Sequence, residues 1–120
     1  MKVILFIFFF DLIMYKRQFL ENVFIEQNEK VPDKLWDDEE FVWNAVQWNG
    51  FNLKYASERL KKDKRFIIKI IKYSGYSFKY ADDDLKKDKK FVIEIIKFNK
   101  GIFNYIDNEL KDNEEILRNI

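Results

Sequence analysis

The sequence predicts an all-α protein built as a small α-solenoid, in which short two-helix repeats of 25 residues stack on one another. Three observations predict it. Leu35, Leu60, Leu85 and Leu110 recur at a fixed interval of 25 residues. Further columns keep that phase: Asp38, Asp63, Asp88 and Asn113; Phe41, Phe66, Phe91 and Ile116; Tyr55, Tyr80 and Tyr105. Within each unit the apolar residues follow helical spacing, and glycine and proline are too few for a chain of tight β-turns.

The first helix of each unit begins at the aspartate column. Asp63 is placed to accept hydrogen bonds from the free N–H groups of a helix start. Phe66, Ile67, Ile70 and Ile71 then recur at i, i+1, i+4 and i+5, with Lys64, Arg65, Lys69 and Lys72 between them facing solvent. Asn49-Gly50 and Ser74-Gly75 close this helix, the glycine suiting a left-handed C′ position. In the third unit glycine shifts to Gly101, and Asn99 is expected to take the left-handed conformation itself. Trp48, Tyr73 and Phe98, seven residues beyond the phenylalanine column, extend the apolar stripe and are expected in the core.

The second helix carries Leu53, Ala56 and Leu60 on one face, then Phe78, Ala81 and Leu85, then Phe103, Ile106 and Leu110. Helices this short are not stable alone, so each unit must bury its neighbour. Trp43, Ile68 and Ile93 give the longer helix a second apolar side, as a helix between two neighbours requires. Repeat units fall near 35–59, 60–84 and 85–109, with a half unit at 110–120. A chain ending on half a unit is open to being a piece of a longer array.

Residues 1–30 read as a separate hydrophobic N-terminal segment with a degenerate helix, and 31–120 as the repeat domain. Phe19, Leu20, Val23 and Phe24 copy the helical pattern, while Pro32 is expected to truncate the short helix that follows. The apolar run from Val3 to Phe10 is too short for a bilayer span, and Asp11 interrupts it. A buried helix or strand is the first expectation for this run. A signal or anchor segment comes second, since Lys2 precedes the run but no small-residue cleavage site follows.

The repeat resembles a known family. Leu-Lys-Lys-Asp-Lys-Arg-Phe at 60–66, Ile70-Ile71-Lys72, Ser74-Gly75 and Lys79-Tyr80-Ala81 look like the tandem repeats of "domain of unknown function 4116". Asp37-Asp38-Glu39-Glu40-Phe41-Val42, Ala45-Val46, Asn49-Gly50 and Leu53-Lys54-Tyr55-Ala56-Ser57-Glu58 match in the first unit. The resemblance covers about residues 31–120 and departs in the third unit, where Ile106 replaces alanine. It implies short helical repeats and no assigned activity, so no catalytic residue carries over.

Composition bounds the chemistry. The chain of 120 residues has neither histidine nor cysteine, which removes disulfides, thiolate and imidazole metal sites, and the usual nucleophile–base pairs. Asp37 to Glu40 complement a helix start, and Asp82-Asp83-Asp84 lack the alternation of a calcium loop. No catalytic residue, cofactor or metal site is expected, and the chain reads as non-enzymatic.

Two surfaces are candidates for binding. The net charge of +1 hides an acidic first unit beside two basic ones. Lys61, Lys62, Lys64, Arg65, Lys86, Lys87, Lys89 and Lys90 form a basic set that could meet phosphates or anionic lipids, the plainer and favoured reading being a solvated rim of loops and helix starts. Tyr55, Tyr80 and Tyr105 could form an aromatic ladder, the plainer reading being rings packed between units. The expected function is a protein-interaction or scaffold module with a protein partner. Nucleic acid or anionic membrane is the alternative, units that merely support a longer chain a third, and no small-molecule substrate is expected. Lack of cysteine suits a reducing compartment, so the cytoplasm is favoured.

Overall fold

A computed structural model describes residues 31–120, and the expectations for residues 1–30 lie outside the described residues. The chain divides after Leu35, and Trp36–Ile120 is one compact unit. The described residues are helical throughout, in the order α1 (Asp33–Trp36), α2 (Glu39–Trp48), α3 (Glu58–Lys62), α4 (Lys64–Tyr73), α5 (Asp83–Lys87), α6 (Lys89–Ile96) and α7 (Glu114–Leu117). Between them run 3₁₀ helices at Gly50–Tyr55, Gly75–Tyr80, Lys100–Tyr105 and Asn108–Leu110. None of the described helices is long and apolar enough to cross a membrane.

Counted from its capping aspartate (38–62, 63–87 and 88–112), each 25-residue unit therefore holds a long α-helix, a 3₁₀ helix and a short α-helix or its 3₁₀ counterpart. The aspartate column starts the long helices as its chemistry requires. Asp38, Asp63 and Asp88 accept from the backbone N–H of Phe41, Phe66 and Phe91 at 2.8, 3.1 and 3.1 Å. Asn113 does the same for Ile116 at 3.3 Å.

The second helix is split rather than continuous. Ala56 and Ala81 are extended, so Leu53 and Leu60 reach the core from different segments. The break follows from a second set of caps: Ser57 accepts from Leu60 N–H, Asp82 from Asp84 N–H and Asp107 from Glu109 N–H. A residue that caps the next helix cannot also continue the previous one.

That break stitches the units together. The freed N–H groups of Ser57, Asp82 and Asp107 donate to the carbonyls of Trp36, Lys61 and Lys86 at 2.8, 3.1 and 3.1 Å. The same bond thus recurs one repeat apart, from each unit to the one before it. Pro32 occupies the equivalent cap position before α1 and has no N–H to donate.

The core follows the predicted columns. Phe41, Val42, Ala45 and Val46, then Phe66, Ile67, Ile70 and Ile71, then Phe91, Val92, Ile95 and Ile96 are all buried. Leu53 and Phe78 join them from the 3₁₀ helices, whereas Phe103 is half-buried and Ile102 takes its place inside. Trp43, Ile68 and Ile93 are half-buried on the second side of the long helices.

Trp48, Tyr73 and Phe98 depart from expectation: they are 51%, 55% and 43% exposed. Their angular position on the stripe is right, since seven residues is nearly two turns. The long helix ends at this level, however, and Leu53, Phe78 and Ile102 of the following 3₁₀ helices fill the core there.

The glycines also differ from expectation. None lies in the left-handed region, and Asn99 is extended at φ −147°. Asn49 and Asn99 instead cap the 3₁₀ helices, accepting from Phe51 and Gly101 N–H at 3.0 Å each.

Candidate functional site

The predicted basic set lies at the ends of the short helices and the starts of the long ones, where loop and cap positions favour charge; Lys61 and Lys86 are half-buried and the other six exposed. Six of its eight members are ion-paired. Lys61 lies 3.7 Å from Glu58, Lys62 4.0 Å from Asp82 and Lys64 2.8 Å from Asp88. Arg65 lies 2.9 Å from Glu39, Lys86 3.5 Å from Asp83 and Lys89 3.5 Å from Glu115. Lys86 also donates to the carbonyl of Lys79. Lys87 and Lys90 make no ion pair among the described residues. Four of these pairs join neighbouring units, so much of the basic surface is spent on register between repeats. The pairs are exposed and individually weak.

Two carboxylates in these junctions titrate low. Asp37 accepts from the Ser57 hydroxyl at 2.6 Å and from Arg59 Nε at 3.0 Å, and these bonds hold its carboxyl below the usual 3.8. Asp88 is lowered by the Lys64 ammonium and by the Phe91 N–H that it caps. A depressed carboxylate stabilises the fold above its unfolded pKa of about 3.9 and loses that contribution as pH falls through the lower folded value. The melting temperature should therefore be flat from neutral pH to about pH 5 and decline below about pH 4. Thermal unfolding of an Asp37→Asn, Asp88→Asn double variant should show a shallower acid decline. An unchanged slope would remove these carboxylates from the explanation.

The tyrosine column does not form a continuous ladder among the described residues. Tyr55 packs on Trp36, centroids 5.2 Å apart and planes 34° apart, with Lys54 Nζ 4.8 Å from its ring. Tyr80 meets Phe51 edge-on at 5.8 Å, and Tyr105 is half-buried. Phe51 also touches Tyr76 at 5.0 Å. These rings bind units together in pairs.

A different aromatic column carries the exposed surface. Trp48, Tyr73 and Phe98 stand at the C-terminal ends of the long helices or just beyond, one per unit. Tyr73 donates its hydroxyl to the Gln47 carbonyl at 3.1 Å, which fixes its ring against the preceding unit. Beside it, an open groove of about 520 Å³ is lined by Trp43, Arg65, Ile68, Lys69, Lys72 and Tyr73. Trp43 and Tyr73 meet edge-on at 5.5 Å and 72°. Lys69 Nζ sits over the Trp43 ring at 4.5 Å, and Lys72 Nζ over the Phe98 ring at 5.5 Å.

Sequence reasoning missed this surface because the helical wheel assigned Trp48, Tyr73 and Phe98 to the core. The usable signal was their place next to the helix stop at Asn49, Ser74 and Asn99. It also missed the buried polar positions Asn52 and Ser77, whose side chains donate to the Ala45 and Gly50 carbonyls at 2.9 and 3.0 Å. No cluster of acidic residues able to hold a metal ion occurs among the described residues.

Comparison with known proteins gives one match. The family model described as "Domain of unknown function (DUF4116)" matches residues 29–61, 38–86 and 63–111, overlapping segments in step with the 25-residue repeat. No curated protein and no solved structure matches the chain significantly.

Proposed function

The chain belongs to the DUF4116 family, and from that premise we propose that it is a non-enzymatic interaction module whose stacked units present a surface to a protein partner. The observation that carries this reading is the exposed column Trp48, Tyr73 and Phe98, three large aromatics repeated at one position of the unit. Aromatic side chains are over-represented at the energetic centres of protein interfaces, because they bury much area for few rotatable bonds. An exposed apolar patch is otherwise a liability for a monomer. The anionic-surface alternative has less support, since six of the eight basic residues behind it are ion-paired.

Site-specific photocross-linking tests the reading in the cells that make the protein. A benzophenone amino acid in place of Tyr73 or Phe98 should give the same discrete protein adduct, competed by excess wild-type chain but not by a Tyr73→Asp, Phe98→Asp variant. An adduct obtained only with the probe at Lys87, and abolished by salt, would point to the anionic alternative instead.

A further inference from the structure

We infer that the groove between α2 and α4 docks a short acidic peptide segment carrying an apolar side chain, an inference that rests on the interaction reading above. The floor is apolar and half-open: Trp43 and Ile68 are half-buried, and Tyr73 is 55% exposed. An apolar side chain laid there removes indole, aliphatic and phenol surface from water. The rim is cationic. Arg65 is held by Glu39 at 2.9 Å, but Lys69 and Lys72 make no ion pair among the described residues. Both ammonium groups rest on aromatic rings instead, Lys69 reaching back to Trp43 of the preceding unit and Lys72 forward to Phe98 of the next. A ring face binds a cation less strongly than a carboxylate does, so an incoming Asp or Glu gains a charge-assisted hydrogen bond.

The pattern along the stack favours a peptide over a nucleic acid. A polynucleotide needs a track of cations at the spacing of its phosphates. One repeat from Arg65, Lys69 and Lys72 stand Glu40, Asn44 and Gln47 on one side and Lys90, Glu94 and Lys97 on the other, so among the described units only this one carries all three cations, and Glu94 interrupts the track. A base needs an open ring face to stack upon. Trp43 and Tyr73 are edge-on to each other, and the Lys69 ammonium covers the Trp43 face.

Fluorescence anisotropy on the full chain tests this with three labelled probes. One is a peptide with Leu-Phe flanked by Glu-Asp pairs, the second the same peptide with Gly-Gly at its centre, and the third a uridylate oligonucleotide. The first should bind saturably, the second about tenfold more weakly, and Lys69→Ala with Lys72→Ala should weaken the first by about tenfold. A Lys87→Ala, Lys90→Ala variant, outside the groove, should bind like the wild type. Unchanged thermal unfolding of the variants separates lost binding from lost folding. The inference is overturned if no peptide saturates, if the glycine peptide binds equally, if the Lys69 and Lys72 changes have no effect, or if the oligonucleotide competes with the peptide at equal strength. Should the peptides fail while the cross-linked adduct persists, this groove falls and the interaction reading stands. Loss of both removes both.

Discussion

Phe78→Ala should lower the unfolding free energy by about 3–5 kcal/mol, the range for emptying a fully buried phenylalanine site. Phe78 has no exposed surface and sits in the 3₁₀ helix that follows the long helix of the second unit. Its ring lies 6.3 Å from that of Phe91, which starts the long helix of the following unit. The cavity would therefore open between repeats. Small domains hold only about 5–15 kcal/mol in total, so roughly a fifth or more of the stability is at stake. Phe103, the next member of the same column, is half-buried, and Phe103→Ala should be distinctly milder. Urea unfolding followed by circular dichroism measures both. A loss below about 1 kcal/mol at Phe78 would mean that the neighbouring units close over the gap. A fall in the urea slope would mean that the stack had split into separately melting parts.

The contrast between those two phenylalanines shows how far the sequence could be read. The period of 25 residues and the capping aspartates were legible because they depend on local rules: helical spacing and free N–H groups at a helix start. So were Phe66, Ile67, Ile70 and Ile71, since an i, i+1, i+4, i+5 stripe has only one way to be buried. What was hidden depends on where one unit stops against another. Leu53, Ala56 and Leu60 satisfy a helical face on paper, yet Ser57 caps the next helix and sends its N–H to Trp36, which forces the chain open. Trp48, Tyr73 and Phe98 have the core angle but stand at or just beyond the end of the helix, where they stay largely exposed. The basic set looked like a binding face because the partners of Arg65 and Lys64 sit 26 and 24 residues away, at Glu39 and Asp88. A periodicity argument names which residues are equivalent, and only packing decides which of the equivalents touch.

The glycines provide the sharpest test of that distinction, because two rival explanations predict different orders of effect. If they served as left-handed helix stops, alanine would be strained at each. None of the three has such a backbone, so contact must decide. A methyl group on Gly50 would stand 2.5 Å from Ser77 Oγ, 2.6 Å from Ser74 Oγ and 2.7 Å from Tyr76 Cζ. These atoms are poorly placed to yield. The Gly50 N–H donates to the Tyr76 hydroxyl at 3.0 Å, and the Ser77 hydroxyl donates to the Gly50 carbonyl at 3.0 Å. Admitting the methyl means moving the second unit off the first. Overpacking and the two weakened bonds together should destabilise Gly50→Ala by about 2–4 kcal/mol. A methyl group on Gly75 meets the side chain of Asn99 first, at 2.5 to 2.8 Å. That amide can swing away, giving up its 3.0 Å bond to the Ile71 carbonyl and its cap on the Gly101 N–H, for a loss of about 1–3 kcal/mol. Gly101 is exposed, and a methyl there approaches Asn99 Oδ1 at 3.1 Å and nothing else within reach. Gly101→Ala should stay within about 1 kcal/mol of wild type in either direction, because restricting the unfolded chain offsets the contact. Chemical denaturation of the three single variants gives the order directly. Equal losses at all three positions would defeat the contact explanation. The descending order Gly50, Gly75, Gly101 would establish that the repeat keeps glycine where the next unit presses against the chain.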